Sequence, residues 1–291
     1  MKSWEQYLRD SAVPRAVIDA FRQRPHWAAF DPELGYVLHD SAVQSGIDGS
    51  RTIETFRPDG ARTRFAYPDL KPRINSYGDS FTEGNQVSDG ETWQEYLGGH
   101  LGEPIGNFGV GNYGVYQAYR RLLRVERTAD GAEYVIFYVW GDDPARSLMR
   151  CRWAQIYPWL TDDLLAQGLF NGNPWAHMEI DLETGVFVEL ENPLPTPESV
   201  YRMCDPDWMV GHLRDDLATQ LAVYAGDPDY DQPGLIGGDG HYSPRGNHMF
   251  AYELKDTLVE LLDPKLLPYQ EPRPAEVAPS EFPPSVVSGR G

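Results

Sequence analysis

The stretch Ile74-Asn75-Ser76-Tyr77-Gly78-Asp79-Ser80-Phe81-Thr82-Glu83-Gly84 puts a hydroxyl side chain at a sharp bend. The run before it alternates weakly, as a strand does, and Gly78 and Gly84 bracket the turn. Where a strand hands over to a helix, the first helical N–H groups have no partner and the helix end is positive. A serine there has an anion-stabilising backbone at its own position, so Ser80 reads as a candidate nucleophile. The same residues also fit a plain turn, with Asp79, Ser80 and Thr82 in capping roles.

Serine is unreactive until a base takes its proton and a third group orients that base. Of the seven histidines, His241 stands out because Asp239 lies close by, in a loop just before a helical pattern. A carboxylate that near can hold the imidazole in one tautomer and stabilise its charged form. Read alone, Asp239-Gly240-His241 is equally a surface turn with a solvated ring.

The elements around these residues follow from patterning. Residues 3–23 read as an amphipathic helix with a break or kink at Pro14, docked on the protein's own core. Residues 27–70 change to short β-like pieces, Gly35–Leu38, Arg51–Phe56 and Arg62–Phe65, joined by Asp48-Gly49 and Pro58-Asp59-Gly60. Such joints indicate an antiparallel, hairpin-built flap. The flap fits a wall of a substrate pocket or a surface for self-association into a homo-oligomer, and the sequence does not choose. A helix is expected over Thr92–Leu101, a strand end at Ile105–Gly109, a glycine-rich loop at Val110–Gly114 and a helix from Val115 to Val125. The apolar run Tyr134–Trp140 reads as a buried central strand of a parallel sheet, ending at Gly141-Asp142-Asp143. Strands alternating with helices, with Gly/Asp/Asn-rich loops after the strands, indicate a doubly wound α/β fold. Ligands of such folds bind beyond the carboxyl ends of the strands. Residues 151–235, rich in aromatics and prolines, read as an insertion with a helix over Leu213–Tyr224. A terminal helix is expected over Asn247–Leu262.

Four short blocks, in order, resemble the SGNH (GDSL) hydrolase superfamily. Gly78-Asp79-Ser80 resembles the first, which implies Ser80 as nucleophile with its N–H in an oxyanion hole. Asn107-Phe108-Gly109-Val110-Gly111-Asn112-Tyr113-Gly114 resembles the second; the family's oxyanion glycine falls at Asn112, with Gly111 just before it. Asparagine tolerates left-handed backbone better than most residues. The third block departs from the family: Trp140-Gly141-Asp142-Asp143 puts Asp142 where an asparagine amide donates, and an ionised carboxylate cannot donate. Protonation of Asp142, a substitute such as Arg146, or a rebuilt pocket would each restore the hole; Asp142 also fits a helix cap. Asp239-Gly240-His241, with Pro244 and Gly246 following, resembles the last block and implies His241 as base and Asp239 as its partner, one residue closer than the commoner spacing.

The resemblance implies a three-layer α/β/α sandwich with a mainly parallel, flavodoxin-like sheet over residues 71–266, interrupted by the insertion 151–235. Residues 1–70 form a helix and β-rich appendage, and the proline-rich, acidic residues 267–291 read as a disordered tail. It implies a serine-dependent ester hydrolase acting through an acyl-enzyme on a small-molecule or carbohydrate ester, with no cofactor and no metal. Three alternatives stay open: acyl transfer to or deacetylation of a carbohydrate, a non-catalytic carbohydrate-binding domain, and magnesium-assisted phosphoester hydrolysis on Asp79, Asp142, Asp143 and Asp239.

A formal charge of −19 argues against nucleic-acid or anionic-membrane surfaces as partners. Two cysteines, Cys151 and Cys204, make neither a disulfide framework nor a zinc site. No stretch suits a bilayer span, and residues 1–21 lack the apolar region of a secretory signal. A cytoplasmic protein is the expectation.

Overall fold

The computed structural model describes residues 3–23, 27–44, 46, 49–141, 143–157, 172, 174–225 and 241–262. The fold is mixed α/β around a small parallel sheet. Its strands are Ile74–Tyr77, Ile105–Asn107 and Tyr134–Phe137. Earlier in the chain come helices α1 (Trp4–Asp10) and α2 (Arg15–Gln23), then strands β1 (Ala28–Asp31), β2 (Gly35–Leu38), β3 (Ser41–Val43) and β4 (Thr52–Glu54). The parallel strands are therefore β5, β6 and β7, in the spatial order β6-β5-β7. Ile74 of β5 sits beside Ile105 on one side and Tyr134 on the other.

The central strand is thus β5, and among the described residues β7 is an outer strand with Val135 42% exposed. The strand ends at Phe137, and Val135 and Val139 are exposed, which corrects the expectation of a buried run over Tyr134–Trp140. Continuity of apolar side chains does not say how many neighbours a strand has, and pairing order is set by the crossovers.

Those crossovers cover the two faces. After β5 come α3 (Ser80–Glu83) and α4 (Trp93–Leu101), and after β6 comes α5 (Val115–Glu126). Trp93, Leu97 and Leu101 recur at helical spacing and pack with Ile74 and Ile105 of the sheet. The same cluster includes Ala251, Phe250 and Leu254 of the last helix, here α10 (Pro244–Leu261). Gly102, in left-handed backbone at φ 75°, ends α4. On the other face Tyr77, Phe108 and Phe137 pack with Leu122 and Val125 of α5. Ile136 and Phe137 face opposite clusters, as neighbours in a strand must.

A second core joins distant parts of the chain. Between β7 and α10 lie α6 (Asp143–Arg146), α7 (Trp153–Ile156), the hairpin β8–β9 (His177–Ile180 and Phe187–Leu190), a 3₁₀ turn (Ser199–Cys204), α8 (Pro206–Leu213) and α9 (Leu217–Ala225). Leu8, Val17, Ile18 and Phe21 bury against Trp153, Met203, Met209, Val210 and Leu213. The N-terminal segment docks on its own core, as expected, but as two helices. The chain breaks between Asp10 and Arg15, ahead of which Pro14 stands. The buried Trp153 indole N–H donates to Ser11 O across this seam.

The flap is antiparallel: β1 pairs with β2, β3 with β4, and an isolated bridge joins Phe56 to Arg62 around Gly60. Residues 267–291, read as a tail, and residues 158–171, 173 and 226–235 of the stretch read as an insertion lie outside the described residues. Among the described residues no helix is long and apolar enough to cross a membrane.

Candidate active site

Ser80 leaves the carboxyl end of the central strand. Gly78 makes the bend: a Cβ there would lie 2.3 Å from Thr82 Oγ1 and 2.9 Å from Tyr138 O, which no other residue type could satisfy. Asp79 caps α3, its carboxylate accepting the Phe81 N–H at 2.9 Å. Four residues make too short a helix to persist alone, so its surroundings hold it. The Glu83 carbonyl accepts from Arg62 Nη1 at 2.7 Å and from Asn107 Nδ2 at 3.0 Å, and Gln94 Nε2 donates to Thr82 O at 2.7 Å.

His241 comes to this serine from the far end of the chain, with its Nε2 2.6 Å from Ser80 Oγ. The ring stands just before α10, whose start is fixed by Pro244 and by Ser243 Oγ accepting the Gly246 N–H at 3.1 Å. Because α10 packs on α4, the helix that follows Ser80 also anchors the histidine. Phe81 wedges the two together, with ring centroids 5.2 Å from His241, 4.9 Å from Tyr242 and 5.1 Å from Trp140. This is the geometry of a hydroxyl beside its general base. Asp239 and Asp142, the expected partner of His241 and occupant of the amide position, lie outside the described residues. Burial pushes the Asp79 carboxyl above its usual range, opposed first by the nearby Arg146 guanidinium and then by the Phe81 N–H and the His241 ring.

The loop after β6 brings Gly111 and Asn112 to the serine. A Cβ on Gly111 would sit 3.7 Å from Ser80 Cβ. Asn112 adopts the left-handed backbone, φ 67°. The Gly111 N–H, however, donates to the Glu83 carboxylate. This removes Gly111 from the expected oxyanion donors, since a committed N–H cannot also serve a substrate. The Ser80 and Asn112 N–H groups have no acceptor among the described residues. Both N–H groups are therefore uncommitted among the described residues. Tyr36 of β2 fixes the same loop by donating its hydroxyl to Gly111 O, and Arg152 Nη1 donates to Asn112 O at 3.2 Å.

Sequence reasoning missed the supports behind this loop. Glu83 and Glu54 are both buried and hydrogen-bond to each other. Burial raises Glu83 well above the ordinary carboxylate range, Glu54 adds to the rise, and Arg62 opposes it. Glu83 therefore keeps its proton above the pH at which a free carboxyl loses it. The flap thus forms part of the site's foundation: β4 supplies Glu54, β2 supplies Tyr36, and Arg62 grips the end of α3. No local signal marks these residues, because each partner is far away in sequence.

Of the four carboxylates that a magnesium site would use, Asp79 caps α3, and Asp143 accepts from Trp140 N at 2.9 Å and pairs with Arg146 at 3.1 Å. Among the described residues no group of three or more His, Cys, Asp or Glu is placed to hold a metal ion. No protein-family model matches the chain, and no curated protein matches it significantly.

Proposed function

We propose that the protein is a serine-dependent ester hydrolase of the SGNH type, built as a three-layer α/β/α sandwich, that cleaves a carboxylic ester of a small molecule or carbohydrate. The observation that carries this reading is the 2.6 Å contact between Ser80 Oγ and His241 Nε2 at the carboxyl end of the central strand. The spatial order β6-β5-β7 adds support, because the crossover after β5 runs to one side and the crossover after β6 returns past β5 to the other, an order that opens a crevice at the end of β5, where ligands of doubly wound folds bind. In the proposed reaction His241 takes the Ser80 proton as Oγ attacks the ester carbonyl. The oxyanion is received by the N–H groups of Ser80 and Asn112. His241 then passes the proton to the departing alcohol, leaving an acyl group on Ser80. Water, deprotonated by the same imidazole, attacks the acyl-enzyme and releases the acid. Each oxyanion donor in such a site is worth roughly a hundredfold or more in rate.

The test is turnover of p-nitrophenyl acetate and butyrate by the wild type and Ser80→Ala, with chelator present, alongside fluorophosphonate labelling of the serine. The expected result is chelator-insensitive hydrolysis that falls by about a thousandfold or more in Ser80→Ala, with a label on Ser80 alone. Equal turnover by both proteins would sink the serine mechanism. Product analysis with added sugar acceptors divides hydrolysis from acyl transfer.

A further inference from the structure

A cleft of about 470 Å³ opens on another part of the molecule, between the flap and the sheet. Arg57, Arg64 and Lys71 line it together with Asn75 and Gly106, residues of β5 and β6 that lie away from the Ser80 end. Three acidic residues, Asp59, Asp69 and Asp130, line it as well, so its binding character depends on which of these charges are already paired.

The two arginines converge. Arg57 Nη1 at 3.5 Å and Arg64 Nη2 at 3.4 Å both donate to the single carbonyl of Pro68. Arg64 is only 7% exposed, and among the described residues it has no carboxylate within ion-pairing distance. Arg64 Nη2 also donates to Leu70 O at 2.8 Å. Arg57 faces only Asp59, at 3.6 Å, and Asp59 also accepts the Ala61 N–H. Arg57 pairs with Asp59 through Nε, and Arg57 Nη2 and Arg64 Nη1 donate to no acceptor among the described residues. Asp69 and Asp130 also line the cleft, but both are exposed, where water screens them. Burial and then the charge of Arg57 depress Arg64 below its ordinary value, opposed by the Asp59 and Glu95 carboxylates.

Two guanidiniums that meet with unused N–H groups form a fork for an oxyanion, since each can bind two oxygens in its own plane. With Lys71 at the rim, the positive charge suits a dianion better than a monocarboxylate. The volume exceeds that of a bare phosphate and falls in the range of small-molecule sites. We propose that this cleft binds the phosphoryl group of a small phosphate monoester, at a site separate from Ser80.

The test is calorimetric titration of the full chain with inorganic phosphate and with acetate, at matched ionic strength. Arg64→Gln removes a buried structural donor and can unfold the protein, so Arg57→Gln and Lys71→Gln are the deciding variants. The expected result is saturable 1:1 phosphate binding by the wild type and by Ser80→Ala, at least tenfold weaker in Arg57→Gln and weaker in Lys71→Gln, with acetate far weaker than phosphate. Esterase activity of Arg57→Gln should stay within about twofold of wild type. Absence of saturable binding, equal affinity in Arg57→Gln, equal binding of acetate, or loss of phosphate binding in Ser80→Ala would each overturn the proposal.

Discussion

Asn112 can offer its N–H to an oxyanion only while its peptide keeps a left-handed turn, and that turn is held from behind by Glu83. Removing the Glu83 carboxyl leaves the buried Gly111 N–H without an acceptor, an unmade bond that costs about 1–3 kcal/mol. It also frees the loop to shift relative to Ser80, and a displacement of about 1 Å can cost a hundredfold in rate. Glu83→Ala should therefore lower kcat by roughly ten- to a hundredfold with little change in KM, whereas Glu83→Gln, which keeps a carbonyl for Gly111 and an N–H for Glu54, should stay near wild type. Steady-state kinetics on the two variants decides it, and equal loss in both would point to the negative charge rather than the bond. The pH behaviour has a definite sign. A carboxyl whose folded pKa is raised contributes stability that is fully present below its ordinary value and is lost as pH rises through the folded value. Urea midpoints from pH 5 upward should fall more for wild type than for Glu83→Gln. The placement of Ser80 at a bend was legible in the sequence because the residue types that make a strand-to-helix bend are local. The Glu83–Glu54 pair was not, since a carboxyl in a turn looks the same whether it faces water or another buried acid.

At the scale of elements, the site depends on pieces too short to hold themselves. The four-residue α3 is kept in place by the sheet loop beside it, and Gly109 is where the two backbones meet. A Cβ on Gly109 would lie 2.1 Å from Glu83 N and 2.5 Å from Thr82 C, both backbone atoms that no rotamer change can move aside. Gly109→Ala should therefore push α3 off the β6 loop, with a loss of about 1–3 kcal/mol typical of overpacking and slower fluorophosphonate labelling of Ser80. Denaturant midpoints and labelling rates measure both, and a variant unchanged in either would mean that the contact relaxes without cost. Boundaries of this kind were legible where capping chemistry is local: α4 starts at Trp93 and ends at Gly102, and the turn at Gly60 closes as its residues suggest. The exposure of β7 was not, because an apolar run does not say which of its side chains other elements cover. Nor was the split of the first helix into two, where Pro14 gave only a break or kink to choose from.

Over the whole molecule, two cores meet at the candidate site: the sheet core carries the elements that hold Ser80 and His241, and the second core reaches the Gly111–Asn112 loop through Val110 and Tyr113. Loosening either one should disturb the geometry between them. The second core contains an acid-sensitive point. His212 stacks on Trp208 in α8, and burial, reinforced by His177 and Arg150, lowers it to about 4. His177 is also lowered, first by burial. A histidine depressed in the folded state must stay neutral there, while the unfolded chain takes up its proton near the ordinary value of about 6.5. Stability from this group is therefore intact above about pH 6.5 and is lost as pH falls toward 4. The full linkage is about 3 kcal/mol, of which about 2 kcal/mol is gone by pH 5. Glu83 and Asp79 act with the opposite sign, since raised carboxyls favour the folded state as pH falls. The raw pH profile of the wild type thus mixes both, and the comparison that isolates the histidine is His212→Phe, which keeps an aromatic ring against Trp208 and cannot titrate. Between pH 7 and pH 5, the wild type should lose about 2 kcal/mol more than His212→Phe in urea unfolding. Parallel profiles would mean that the imidazole reaches water before the core opens, and that acid enters the molecule elsewhere.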